Sequence, residues 1–260
     1  CMGFGQYNGC ATETMMNYYE ERARGGVGLI ITEITRINDI TGASSYGQLG
    51  MSHDYQISSL KEMADRIHKH GCKIMVELHH PGRQNLGLMI GTVPICIAGE
   101  KLLGNNAYTK LLTGAVIPPG KKLQDKDIVP RVVAPSKCEK SKMSDSVNRA
   151  LSHRGIKRLI AQFIEGAVRV QKAGCDGVEL HASHGYLIQQ FLSPNTNKRT
   201  DEYGGSLENR MRFLTEIIDG IRRNCGKSFP IVVRLTVDEM YDRIGKPNKG
   251  YGLDEGLKMA

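Results

Sequence analysis

Gly177-Val178-Glu179-Leu180-His181-Ala182-Ser183-His184-Gly185-Tyr186 is the stretch on which the fold turns. The run 177 to 180 is short and apolar enough to predict a buried strand, and the next six residues set two imidazoles and a phenol at its mouth. An acid/base and hydrogen-bonding cluster at a strand's C-terminal end is where a (β/α)8 barrel keeps its chemistry.

Outward from this strand, apolar runs and amphipathic stretches alternate. Upstream, Ser152 can cap a helix with the stripe Ile156, Leu159, Ile160, Phe163, Ile164, Ala167 and Val168, ending at Gly174. Residues 13 to 24 read as a helix stopped by Gly25-Gly26, followed by a strand over 27 to 32. A helix over about Asp54 to His70, with Gly71 as its C′ residue, precedes a strand over 73 to 78. Downstream, a helix over about Leu207 to Cys225 leads to a strand over 229 to 236. Strands that are apolar almost throughout and separated by helices predict a parallel sheet covered by helices. A doubly wound sheet and a barrel both satisfy that pattern. The barrel is favoured because no G-x-G-x-x-G follows a strand, and because polar residues recur at strand ends: Thr32-Glu33, His79-His80, His181 through Tyr186, and Arg234.

The chain has 260 residues, 40% of them hydrophobic, enough to bury a core of its own in one α/β domain spanning 1–260. The seven cysteines are scattered without a C-x-x-C pair, which argues against a disulfide framework or a zinc site and for a reducing cytoplasm. No signal peptide and no run of about 20 apolar residues is present, so no membrane span is expected. The net charge of +8 is concentrated: residues 101 to 142 hold nine Lys/Arg against three acids, a surplus of six. With Pro118, Pro119, Pro130 and Pro135 and no clear period, this segment reads as an excursion or insertion over about 86–131. A solvated basic face explains the charge; attraction of an anionic acyl-CoA or nicotinamide is the alternative, and no nucleic-acid partner is expected.

Beyond Tyr186 the chain continues Leu-Ile-Gln-Gln-Phe-Leu-Ser-Pro-Asn-Thr-Asn-Lys-Arg-Thr-Asp-Glu-Tyr-Gly-Gly-Ser-Leu-Glu-Asn-Arg-Met-Arg-Phe to position 213. With the 177–186 motif, this run resembles the Old Yellow Enzyme family of FMN-dependent ene-reductases, nearest to its 2,4-dienoyl-CoA reductase and bile-acid oxidoreductase branch. The resemblance covers nearly all of 12 to 83 and 132 to 260. It implies a TIM (β/α)8 barrel, truncated to roughly its first five strand–helix units, with a first strand missing or barely present at Cys1-Met2. The branch's 4Fe-4S cysteines and FAD domain are expected beyond Ala260, and the absence of an initiator Met suggests a fragment.

The resemblance implies that NADH or NADPH reduces bound FMN, which then passes hydride to the activated C=C bond of an α,β-unsaturated carbonyl or enoyl thioester. His181 and His184 match the donor pair on the substrate oxygen, Tyr186 the proton donor, and Thr32, Glu77 and Arg234 the flavin contacts. Competing readings exist: a loop-bracing role for the histidines, two zinc ligands from His-x-x-His without a clear third partner, and an internal salt bridge for Arg234. Asn209-Arg210 and Arg199-Thr200-Asp201 read as a network bracing the loop. Glu77 departs from the family's usual Gln. An ionised Glu can only accept hydrogen bonds, so a raised Glu77 pKa, a lowered flavin potential, or pairing with Arg83 or Arg234 is expected. The alternative to an enzyme is a truncated, non-catalytic barrel fragment or interaction module.

Overall fold

The computed structural model describes residues 3–6, 8–45, 47–85, 132–139, 141, 148–247 and 249–260. The expected excursion at 86–131 and the expected first strand at Cys1-Met2 lie outside the described residues. Helix α1 (Glu13–Arg24) starts where the Thr12 hydroxyl accepts from the Met15 amide, and buries Met15, Met16, Tyr19 and Ala23. It leads into β1 (Leu29–Ile31) and, after a break, β2 (Thr35–Arg36). Helix α2 (Ile57–His68) follows a 3-10 turn and precedes β3 (Lys73–His79). Two short parallel strands, β4 (Val132–Ala134) and β5 (Asn148–Ala150), form a separate sheet. Helix α3 (His153–Lys172) leads to β6 (Gly177–Ala182) and the six-residue α4 (Leu187–Leu192). Helix α5 (Leu207–Cys225), β7 (Ile231–Leu235) and α6 (Leu253–Met259) complete the described chain.

The main sheet is parallel in the order β1-β3-β6-β7, with β2 pairing the far end of β3. Sequential strands lie side by side with helices between them, which is how a barrel wall grows. Alternation along each strand sorts side chains onto two faces. Ile30, Ile74, Val76, Leu78, Val178, Leu180 and Ala182 point one way and join the apolar cluster built with the helices. The other face carries Ile31, Glu77, His181 and Arg234 around an open cavity. On β3 and β6 the polar residues Glu77, His79, Glu179 and His181 fall at every second position, on the face away from the apolar cluster, within strands that are otherwise apolar as expected.

The helix-side packing follows the sequence stripe. Ser152 Oγ accepts from the Gly155 amide at 3.1 Å, and Ile156, Leu159, Ile160, Phe163 and Ala167 are buried, while Ile164 and Val168 are partly so. Phe163 and Phe191 meet Phe213 of α5, the second pair stacked at 4.2 Å between ring centroids. Gly177 sits opposite Met75, and a Cβ there would come within 2.7 Å of both Met75 Cε and the Pro230 carbonyl oxygen. The close approach of β3, β6 and the entry to β7 needs that glycine.

Candidate active site

The strand β6 runs to Ala182, so His181 is its penultimate residue rather than the start of the loop, and its ring is aimed inward by strand alternation. The register β3–β6–β7 then sets His79 beside His181 and His181 beside Arg234; two residues earlier it pairs Glu77 with Glu179. After Ser183 the chain turns through His184 and Gly185, both at positive φ (57° and 73°). A non-glycine residue there is uncommon and needs support from its surroundings. Gln84 Nε2 donates to the carbonyls of His184 (3.0 Å) and Gly185 (2.8 Å), and Gln189 Oε1 accepts from the Gly185 amide at 2.5 Å. Gln190 Nε2 also donates to the Gly185 carbonyl at 2.6 Å. These three glutamines hold the turn that presents His184 and Tyr186.

His181 is buried and neutral: desolvation first, then the neighbouring His184 and Arg234, push it down to about 3. The Ser183 amide donates to its Nδ1 at 3.3 Å, so the ring proton sits on Nε2. That Nε2–H faces Glu77 Oε1 at 3.4 Å and His184 Nδ1 at 3.3 Å. With Nδ1 accepting, His184 keeps its own Nε2–H as a donor; burial and Arg234 also lower its pKa. Tyr186 stands edge-on to His79 (4.4 Å between centroids) and His181 (4.9 Å). Burial and Glu77 raise its pKa, which keeps the phenol protonated at neutral pH.

Glu77 lies at the centre. Burial, then the Glu179 carboxylate, push it up to about 7, opposed by Arg234, whose Nη1 is 3.4 Å from Glu77 Oε1. The expected raised pKa and the Arg234 pairing are thus present, whereas Arg83 turns away and donates to the Glu139 carbonyl at 2.9 Å. The Thr32 hydroxyl accepts from the Glu77 amide at 3.3 Å and contacts the Glu33 carbonyl at 3.1 Å, tying β1 to β3. Thr32, Glu77, His181, His184, Tyr186 and Arg234 all line one cavity of about 600 Å³, walled on the apolar side by Val27 and Ile31.

Two residues here were given no site role from the sequence, although His79 stood out as a polar residue at a strand end. Glu179 pairs with Glu77, and His79 is fully buried with neither ring nitrogen hydrogen-bonded among the described residues. The signal was a period of two along β3 and β6. His80, in contrast, faces away: its Nδ1 accepts from the Gly82 amide and its Nε2 meets Thr41 Oγ1, both at 3.0 Å. The loop network expected around 199 to 210 is present. Arg199 grips Asp201 and donates to the carbonyls of Pro135 (2.7 Å) and Leu151 (2.6 Å), while Arg210 donates to the Leu192 carbonyl and to Glu255.

The cavity offers donors, acceptors and a guanidinium beside an apolar wall, with an orphaned imidazole below. That set fits a planar polar heterocycle such as a flavin ring.

Comparison with known proteins agrees with this architecture. The chain matches the profile of the NADH:flavin oxidoreductase / NADH oxidase family over residues 1–89 and 112–247. It is 35% identical over 254 residues to an NADH oxidase of Thermoanaerobacter brockii, covering 97% of this chain and 32% of that protein. It is 38% identical over 224 residues to an NADPH dehydrogenase of Halalkalibacterium halodurans, covering 86% and 53%. Among solved structures, a 2-naphthoyl-CoA reductase complex superposes with a TM-score of 0.76 at 30% identity, over 99% of this chain and 34% of that one. Old Yellow Enzyme from Pichia sp. AKU4542 superposes at 0.71 and 27%, over 97% and 56%. The chain thus spans 32% to 56% of the length of these four proteins. With its wall of parallel strands and the family profile covering most of its length, the chain belongs to the NADH:flavin oxidoreductase / NADH oxidase family and has the Old Yellow Enzyme type of barrel.

Proposed function

We propose that the protein is an FMN-dependent oxidoreductase that uses NADH or NADPH to reduce the activated C=C bond of an enone or enoyl thioester. The observation that carries this reading is the convergence of His181, His184 and Tyr186 with Thr32, Glu77 and Arg234 on one cavity. Bound FMN would supply the hydride relay between nicotinamide and alkene. Thr32, Glu77 and Arg234 are the residues that would hold its ring. On substrate binding the His181 Nε2–H would exchange its contact with His184 Nδ1 for the substrate carbonyl oxygen, and with the His184 Nε2–H would meet the negative charge growing there. Each such donor is worth roughly 3 kcal/mol in a dry site. Tyr186, kept protonated by burial, would deliver the proton to the α-carbon, a role typically worth about 10² to 10⁴ in rate.

The naphthoyl-CoA reductase among the similar structures is compatible with a thioester substrate, as is the basic character of 101 to 142. In this reading the protein works in the cytoplasm. Among the described residues the cysteines are free thiols, Cys72, Cys175 and Cys225 buried and Cys10 and Cys138 half-buried. No described helix is long and apolar enough to cross a membrane.

The test is the visible spectrum of the purified full-length protein under anaerobic conditions. The account expects an oxidised-flavin spectrum that bleaches with NADH or NADPH and returns on adding an enone. A colourless protein that takes up no FMN would instead support the non-catalytic alternative.

A further inference from the structure

Glu77 and Glu179 are register partners on β3 and β6, so their side chains stand next to each other on one face of neighbouring strands, and both are buried. Two ionised carboxylates are acceptors only and repel when buried side by side, and a proton held between them relieves that repulsion. The groups facing the pair decide whether that proton stays. From β6 comes His181, 3.4 Å from Glu77 and neutral; from the end of β3 comes His79, held neutral by burial. From β7 comes Arg234, 3.4 Å away with its side chain half exposed. From β1 comes the Thr32 hydroxyl, while Glu33, after that strand, adds a carboxylate to the same cavity. Tyr186 borders the cavity as a neutral phenol, and Arg22 on the far wall is spent on the Tyr18 ring and carbonyl. Among the described residues one solvent-shared guanidinium therefore faces two buried carboxyls, and it cannot balance both.

We propose that Glu77 and Glu179 share one proton around neutral pH, so that Glu77 offers the cavity a hydroxyl donor as well as a carbonyl acceptor, as an amide side chain would. Burial and Glu179 together raising Glu77 to about 7 agrees with this. A ligand with an adjacent acceptor and N–H donor, such as the imide edge of a flavin ring, can then be met by a glutamate at a position where an ionised one could satisfy only the N–H. The shared proton stands on the chain's own geometry; its use toward flavin rests on the function proposed above. The sign follows from the titration: the donor is present below about 7 and lost above it, when the second carboxylate ionises and repels electron-rich ligands.

The experiment is a pH titration of carboxyl ¹³C resonances in flavin-free, glutamate-labelled full-length protein, alongside Glu77→Gln and Glu179→Gln. The expected result is a coupled carboxyl titration near 7 that vanishes in Glu77→Gln and moves toward ordinary values in Glu179→Gln. Glu77 and Glu179 both ionised by about pH 5, near the ordinary glutamate value, would overturn the shared proton. In parallel, FMN affinity should fall by up to roughly tenfold per pH unit above about 7 in the wild type and stay flat in Glu77→Gln. Equal pH slopes for both would refute the donor role. A protein that keeps the shared titration yet takes up no FMN would sustain the proton pair and refute the flavoenzyme reading.

Discussion

The two faces of the main sheet are made from the same strands yet share almost no chemistry. On β6, Val178, Leu180 and Ala182 are fully buried against α3 and its neighbours, whereas Glu179 and His181 alternate with them on the opposite face, where His181 lines the cavity. On β3, Ile74, Val76 and Leu78 stand against Glu77 and His79 in the same way. A strand's period of two lets one short segment both hold the fold and carry the site, at the cost of burying polar groups that must find partners. The partners come from adjacent strands and from the turn after β6: Glu179 and Arg234 for Glu77, Glu77 and His184 for His181. The register is thus part of the site, because a one-residue slip of β6 would send His181 into the helix layer.

Variants at different depths can break or sharpen this contrast. The largest effect is expected at Tyr186, whose substitution by Phe should slow substrate reduction by about 10² to 10⁴ while leaving flavin reduction by nicotinamide nearly unchanged. Stopped-flow absorbance of the two half-reactions separates these; equal slowing of both would remove the proton-donor role.

A smaller effect should follow from Glu77. Its folded pKa of about 7 lies above the ordinary 4.5, so the native state holds a proton that the unfolded chain releases between those values. Stability should therefore fall as pH rises from about 4.5 to 7, by an amount on the order of 3 kcal/mol. Urea unfolding at several pH values should show this loss in the wild type and its absence in Glu77→Gln. A parallel pH dependence in the two proteins would contradict the buried carboxyl pair.

The smallest effect belongs to the helix layer's edge. Ser152→Ala removes the acceptor for the Gly155 amide and should cost about 1 kcal/mol without changing turnover. Thermal melts paired with steady-state rates would check it, and a change in kcat would show that α3 reports to the site.

What could be read from the sequence follows the same division. The stripe Ile156 to Val168, its Ser152 cap and the boundaries of α1 and α5 were legible because helix periodicity is long and repeated. The cluster His181, His184, Tyr186 was legible because it is contiguous. Glu179 was not, and His79 was legible only as a polar strand-end residue, since in short strands flanked by apolar residues the polar positions looked incidental rather than periodic. The parallel pair β4 and β5 escaped notice because three-residue strands next to a basic, proline-containing segment carry no period. The glutamine support of the His184-Gly185 turn was hidden too, because Gln84 and Gln189 meet it only in the folded chain.

The most direct test uses two adjacent residues of β6, Leu180 and His181, each changed to Ala in the full-length protein, with unfolding free energy and turnover measured on both. The account predicts that Leu180→Ala loses about 2 to 5 kcal/mol of stability while its folded fraction keeps near-normal turnover. His181→Ala should instead lose about 10² to 10³ in turnover with stability changed by only about 1 kcal/mol. If both variants lost stability and turnover in the same proportion, the division of labour between the two faces would be wrong.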